Sequence, residues 1–497
     1  MITVLLAPIA LPALAALGYA VLGWQPRTAW LGTLAAAGSL ASGIALATRV
    51  TGSRPRTALG GLLRVDALSA YMVIVIGAIA VLAMAASPAY LAGEFAAGHT
   101  NARAAKQYGV LTQAFIAAMN TAVLAASLGV LWAAIEATTI LTAFLVGHRH
   151  TRGSVEAAWK YVVVCSVGIA LAFLGIVLLN YAAVHTGLPA AHAMDWTSLT
   201  ANAHALDHGV TRIAVALLLL GFGTKTGLAP IHAWLPDAHS QAPAPVSALM
   251  SGVLLSVAFY AILRVKVISD AALGDGFART LLLIVALASL TVAAALLLAQ
   301  RDYKRMLAYH SIEHMGLLAL GAAAGSQLAL AAVLLHVLGH GLAKAVLFLS
   351  AGHLHQALGS SHIHAVRGLA GRAPLLAGTL GVGLLALLGL PPFSLFASEL
   401  GMFRAGFAAG LGWAVALALL SMLVIFAAVA SHAGDMLLGT RPDPPGERDP
   451  ASAVALRLPA TAAVALLTGL ATCAVLGVTA WPLRALLHAA ALVAAGT

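Results

Sequence analysis

Only two cysteines, Cys165 and Cys473, occur among the 497 residues, and both lie in apolar runs. Two thiols so far apart give no disulfide framework, no cysteine metal motif and no iron–sulfur run. Charge is scarce as well: Asp, Glu, Lys and Arg make up 8% of the chain, against 61% hydrophobic residues. That balance excludes a soluble domain and reads as a polytopic membrane protein. Aromatics reach only 6%. Ala, Leu and Gly fill the apolar runs instead, and small residues let helices approach closely. A P-loop, a dinucleotide fingerprint and a haem-attachment motif are all missing. Neither a redox centre, another cofactor nor a metal is therefore expected in this chain. The formal net charge is +10. It does not point to nucleic acid, because the positive-inside bias places Lys and Arg in short loops. The chain is apolar from Met1 and its first basic residue is Arg27. Without the basic start of a signal peptide, this segment reads as a retained first span.

Apolar runs of the length that crosses a bilayer recur about fourteen times. They lie near 2–23, 28–48, 66–89, 109–130, 131–147, 157–181, 211–235, 242–265, 277–299, 304–323, 327–352, 373–398, 408–433 and 455–482. The predicted fold class is an all-α polytopic membrane protein of about 14 transmembrane helices. Hydropathy does not separate the fourth run from the fifth; their combined length does. Loops on the side of Arg27 carry a modest excess of basic residues, among them Arg103, Lys106, Arg149, Arg301 and Arg305. Both termini are therefore expected outside the cytoplasm, with the chain in the cell inner (cytoplasmic) membrane. The stretch 441–450 reads as a polar, proline-rich loop.

Charge reappears where lipid should be. Gly221 to Asp237 starts as the end of an apolar helix, then places Lys225 in the hydrocarbon zone and Pro230 five residues later. A buried ammonium is costly and faces a partner or a wet cavity. Proline lacks the helix donor and clashes with the preceding turn, so a break is expected there. Broken helices at membrane depth are tolerated where protein or water satisfies the freed backbone. Gly389-Leu-Pro391-Pro392 resembles Gly227-Leu-Ala-Pro230, and seven residues beyond each final proline stands an acid, Asp237 and Glu399. The two elements are five spans apart, so the copies would run in opposite directions, as paired broken helices do in transporters with a midplane site.

Glu136 stands in the middle of another apolar run, with Lys225 as its natural partner. The pair reads either as a structural link between helices or as a carboxylate that tunes the lysine's proton affinity. His336, His340 and Lys344 recur every four residues and so share one helical face. Such a stripe can pass protons, and Glu399 could end the row. His310-Ser-Ile-Glu313-His314 formally matches an H-x-x-E-H zinc pattern. With no third ligand recognisable, Glu313 and His314 read as relay or structural groups instead. His353, His355, His362 and His364 read as ordinary loop residues.

Several of these segments resemble a known family: the antiporter-like subunits of complex I, of multi-subunit cation/proton antiporters and of membrane-bound hydrogenases. They are Ile135 to Thr139, Lys225 to Pro245, Asp302 to Tyr309 and His340 to Phe348. Ser247 to Leu255, with Ile312-Glu313-His314, is most similar to component F of the hydrogenase-4 type. The resemblance implies a fourteen-helix fold with two inverted five-helix repeats and broken seventh and twelfth helices. It divides the chain into 1–108 (three helices), 109–266 and 267–435 (the repeats) and 436–497 (a polar loop and a last helix). It carries a proton pathway onto Glu136, Lys225, His336, His340, Lys344 and Glu399, beside Asp237, Glu313 and His314. It implies other membrane subunits and a peripheral redox module as partners, with protons as the transported species. One departure is visible: where many relatives carry an eighth-span histidine, this chain has Met250-Ser251. A central link would then need Ser247, Ser251, Ser256 or water. The competing expectations are a subunit of a non-redox cation/proton antiporter or inorganic-carbon uptake system, and a membrane anchor that no longer conducts.

Overall fold

The computed structural model describes residues 2–52, 55–440 and 456–496. The proline-rich stretch 441–450 lies outside the described residues. The principal helices are α1 (Ile2–Leu22), α2 (Leu31–Val50), α3 (Ala67–Ala96), α4 (Ala102–Leu124), α5 (Leu128–Val146), α6 (Arg152–His185), α7 (His208–Thr226), α8 (Trp234–Gln241), α9 (Ala244–Leu273) and α10 (Asp275–Leu297). They continue with α11 (Tyr303–Ala324), α12 (Gln327–Leu358), α13 (Pro374–Leu387), α14 (Ser394–Ala408), α15 (Gly412–Leu438), α16 (Ala460–Val478) and α17 (Arg484–Ala495). A small hairpin of β1 (Arg56–Ala58) and β2 (Leu63–Val65) precedes α3.

Among the described residues, 11 helices are long and apolar enough to cross a membrane, or up to 12 if the bent pair Ile363–Arg372 and Pro374–Leu387 is one span. Helices α4 and α11 have comparable length, 23 and 22 residues, but carry more polar side chains. The boundary between the fourth and fifth runs falls at 125–127 rather than at 130. There Ser127 caps α5 by accepting from the Val130 amide, and the backbone bridges to Leu63 and Asp195. Helix α17 and the hairpin are additions to the expected spans. Helix α17 turns Leu486, Leu487, Ala490, Ala491 and Ala494 inward, against α3 and α12.

The centre is formed by α3, α9 and α12, which are buried along nearly their whole apolar lengths. Helices α1, α6, α15 and α16 bury only one side and expose Leu, Val and Phe on the other. Small residues set the closest crossings. A Cβ on Gly341 would lie 2.8 Å from the Gly252 carbonyl oxygen, so α9 and α12 touch backbone to backbone. A Cβ on Gly221 would lie 2.5 Å from the Gly168 carbonyl oxygen, which brings α7 equally close to α6.

Two interruptions break the helices inside this bundle. Helix α7 ends at Thr226, Gly227 takes a left-handed conformation (φ 82°), and α8 begins at Trp234. Helix α13 ends at Leu387, Gly389 is again left-handed (φ 64°), and α14 begins at Ser394. Glycine closes a helix in this way because it has no Cβ to clash. Pro230 and Pro391-Pro392 lie in these two connections, and the Ala229–Pro230 and Pro391–Pro392 peptide bonds are cis. Five residues near the start of α9, Met250–Leu254, form a π turn.

Candidate functional site

Lys225 lies at the end of α7 with no exposed surface. Its ammonium donates to Thr139 Oγ1 at 2.9 Å and to the Tyr161 hydroxyl. Tyr161 in turn shares a 2.6 Å hydrogen bond with Thr142. The expected contact with Glu136 is not formed: no ion pair between Glu136 and Lys225 occurs among the described residues. Glu136 is half-buried, and its Oε2 has no protein hydrogen-bond partner. Thr139 and Tyr161 take up the Lys225 ammonium instead.

Trp234 leads away from the lysine. Its indole N–H donates to the Thr224 carbonyl at 2.9 Å, and its ring lies 4.9 Å from the Tyr161 ring. His239 follows, 6.1 Å from Trp234 and 5.6 Å from Phe348, centroid to centroid. It is fully buried, and neither ring nitrogen has a protein partner. Its backbone carbonyl accepts from Ser247 Oγ at 2.8 Å. Lys344 lies beyond Phe348, with its ammonium 6.0 Å from that ring and donating to the Leu307 carbonyl.

The row then widens into a histidine cluster between α11 and α12. His314 has ring centroids 5.2 Å from His310, 5.0 Å from His336 and 4.9 Å from His340. His314 Nδ1 and His336 Nε2 are 2.9 Å apart, and His336 Nδ1 is 2.9 Å from Ser398 Oγ on α14. His310 Nδ1 lies 2.6 Å from Glu313 Oε2. Glu399 closes the row, buried against the left-handed Gly389: a Cβ there would lie 2.1 Å from Glu399 Oε2. Its other oxygen has no protein partner.

The structure therefore gathers His314, His336, His340, Lys344, Glu313 and Glu399 at one end and Lys225 at the other, with His239 between. Asp237 is elsewhere. It pairs with Lys160 at 3.2 Å and Arg305 at 2.8 Å in a cluster on one polar face. The donor atoms of His310, Glu313 and His314 lie within 4.8 Å of one another, as do those of His314, His336 and Glu399. Each triad suits a divalent metal in donor type, and the second joins His336 and Glu399 to His314, a grouping not recognisable in sequence.

Tyr161, His239 and Ser398 carry no signal that singles them out in the sequence. A tyrosine or serine inside an apolar run is unremarkable in composition. His239 follows Asp237 by two residues, and periodicity on the eight-residue α8 is too short to tell the buried face from the wet one. Of the serines considered as a link, Ser251 meets Ser311 at 2.8 Å, and Ser256 Oγ has no partner.

Apolar helices around a buried row of ionisable side chains, spaced by Trp234 and Phe348, define an antiporter-like, multi-pass membrane subunit. Residues 125–425 match the family described as NADH:quinone oxidoreductase/Mrp antiporter, TM, and the chain belongs to that family. The hydrogenase-4 component F homolog of Methylacidiphilum infernorum is 38% identical over 349 residues, which is 70% of this chain and 73% of that protein. Subunit N of the F(420)H(2) dehydrogenase of Methanosarcina mazei is 30% identical, over 79% of this chain and 78% of its own length. Among solved structures, a chain of the archaeal membrane-bound sulfane sulfur reductase superposes with a TM-score of 0.86. It covers 99% of this chain and 97% of that one at 24% identity, a likeness of fold.

Proposed function

We propose that this chain translocates protons as one membrane subunit of a redox-driven complex of the membrane-bound hydrogenase or NADH–quinone oxidoreductase type. The observation that carries the reading is the buried series Lys225, Tyr161, His239, Lys344, His340, His314, His336 and Glu399, with Trp234 and Phe348 between its members. Structural cores do not assemble so many ionisable groups in a membrane without function. In this reading Glu136 sets the proton affinity of Lys225 through space. The proton passes by way of His239 and ordered water to Lys344, then through the histidines to Glu399. Unpartnered nitrogens on His239 and His340 suit water, which needs two to four polar partners. Other membrane subunits flank the chain, and a peripheral redox module supplies the energy. Moving one charge against 100 mV costs roughly 2.3 kcal/mol, so a modest change in the Glu136–Lys225 interaction gates transfer.

The same reading counts α4, α11 and the interrupted α13–α14 as spans, for fourteen in all. It takes 1–108 as three initial helices, 109–266 and 267–435 as inverted five-helix repeats, and 436–497 as the final segment. The matching left-handed glycines 227 and 389 and the odd offset between the two interruptions support the inversion. The excess of basic loops supports a cytoplasmic membrane with both termini outside the cytoplasm.

Lys225→Ala and Glu136→Gln in the assembled complex test the reading. Both are expected to abolish or strongly reduce proton pumping, and wild-type pumping with either change would sink it. The family description also names Mrp antiporters, so a second reading makes this chain part of a non-redox cation/proton antiporter. Co-purifying subunits decide between the two: hydrogenase or quinone-reductase chains favour the first, small antiporter subunits the second.

A further inference from the structure

Beside the far end of the row lies a cavity of about 370 Å³, between the α13–α14 interruption and α15. It falls within the size range of small-molecule pockets, about 300–1,000 Å³. Glu313 and Glu399 line it, and the rest of the lining is apolar, including Phe396, Phe403, Met422 and Phe426. The two carboxylates are 3% and 6% exposed, and Glu399 Oε1 has no protein partner. Gly389 leaves room for Glu399, since any side chain there would crowd the carboxylate. At the rim, Phe396, Phe426 and Leu423 are exposed on the apolar outer surface. The mouth thus faces the hydrocarbon layer rather than water.

Two acids meet in one apolar cavity: Glu313 has His310 Nδ1 2.6 Å from its Oε2, whereas Glu399 Oε1 has no protein partner. The complementary ligand carries a compact cation on an apolar body and arrives through the bilayer. We propose that the cavity binds a lipophilic primary amine as its ammonium, the head paired with Glu399 and Glu313 and the aliphatic tail against Phe396, Phe403 and Phe426. A primary head suits the site because three N–H donors can serve several carboxylate oxygens at once. An alcohol of the same length brings no charge, and a quaternary ammonium brings charge without donors. An amine bound there occupies Glu399, so it acts as a blocker of any traffic through that carboxylate. The site itself stands whether or not Glu399 carries protons, and it is read by binding rather than by transport.

The test uses the full chain in phosphatidylcholine nanodiscs and a diazirine-bearing dodecylamine, with the matching dodecanol as control. Photolabelled positions are mapped by mass spectrometry. Saturable labelling is expected within 387–426, displaced by excess dodecylamine and not by dodecanol. Leu423→Trp, which fills the mouth from the lipid side, is expected to lower amine labelling at least tenfold without changing the melting temperature. Glu399→Gln is expected to do the same for the amine and to leave alcohol labelling unchanged. Equal labelling by amine and alcohol, labels spread over all apolar faces, or undiminished labelling of Leu423→Trp would each overturn the assignment. Loss of proton pumping in Lys225→Ala has no bearing on these outcomes, so this site and the proposed function fail separately.

Discussion

Replacing His239 with leucine separates a conducting role from a packing role, because the two predict opposite results for stability and transport. The imidazole is fully buried and neither nitrogen meets a protein hydrogen-bond partner. A buried polar group left unpaired costs about 1–3 kcal/mol, so an apolar residue of similar volume is expected to be neutral or stabilising by roughly that amount. The bond that Ser247 makes is to the His239 backbone carbonyl and survives the change. Melting temperature should therefore hold or rise by a few degrees. Transport should fall, because only Trp234, Phe348 and the new leucine would then lie between Tyr161 and Lys344. A tenfold loss corresponds to about 1.4 kcal/mol in the barrier, and at least that loss is expected. The assay is proton uptake by proteoliposomes holding the whole complex, with redox turnover recorded in the same sample. His239→Gln can still hold water but cannot carry a proton, so it should lose transport as well. Transport within twofold of wild type in His239→Leu, or marked destabilisation with transport intact, would refute the link through this residue.

Tyr161→Phe removes the hydroxyl shared by Lys225 and Thr142; transport should drop several-fold, with a stability loss of about 0.5–1.5 kcal/mol from the lost bond, read by denaturation in detergent. Arg264 holds Asp66 with two bonds, at 2.8 and 2.7 Å, in a buried pair. Asp66→Ala should cost roughly 3–5 kcal/mol, and the double change with Arg264→Met should cost less than that single change, since no charge is then left alone. Gly341→Val forces a side chain against the Gly252 carbonyl and should lower the yield of folded protein sharply, while Gly276→Ala, on an open surface, should change stability by less than about 0.5 kcal/mol.

Legibility differed between the fold and the site. The long apolar runs announced themselves, because the bilayer requires them. The π turn at 250–254 and the helix α17 did not, since neither disturbs composition. In the site, His336, His340 and Lys344 could be placed on one face from their spacing, and they do share a buried face. Asp237 looked equivalent to Glu399 by its distance from a proline. The structure separates them: Asp237 ends in a surface ion cluster with Lys160 and Arg305, and Glu399 ends in the buried row. Glu136 looked like the direct partner of Lys225 because opposite charges in lipid attract. In the structure the hydroxyls of Thr139 and Tyr161 take the ammonium instead, and spacing along one helix does not show which side chain a second helix will reach.

Sequence by itself determined that this chain is a stack of membrane helices and that a few ionisable residues are kept inside them, because hydrocarbon penalises every charge it contains. At Gly227–Pro230 and Gly389–Pro392 it also determined where helices break, because proline lacks a donor and glycine tolerates a left-handed turn. Which charges are neighbours was decided only by the tertiary structure. Small residues at the helix crossings set how closely and at what rotation α6, α7, α9 and α12 meet, and that rotation, invisible in any one segment, lines up Lys225, His239 and Lys344.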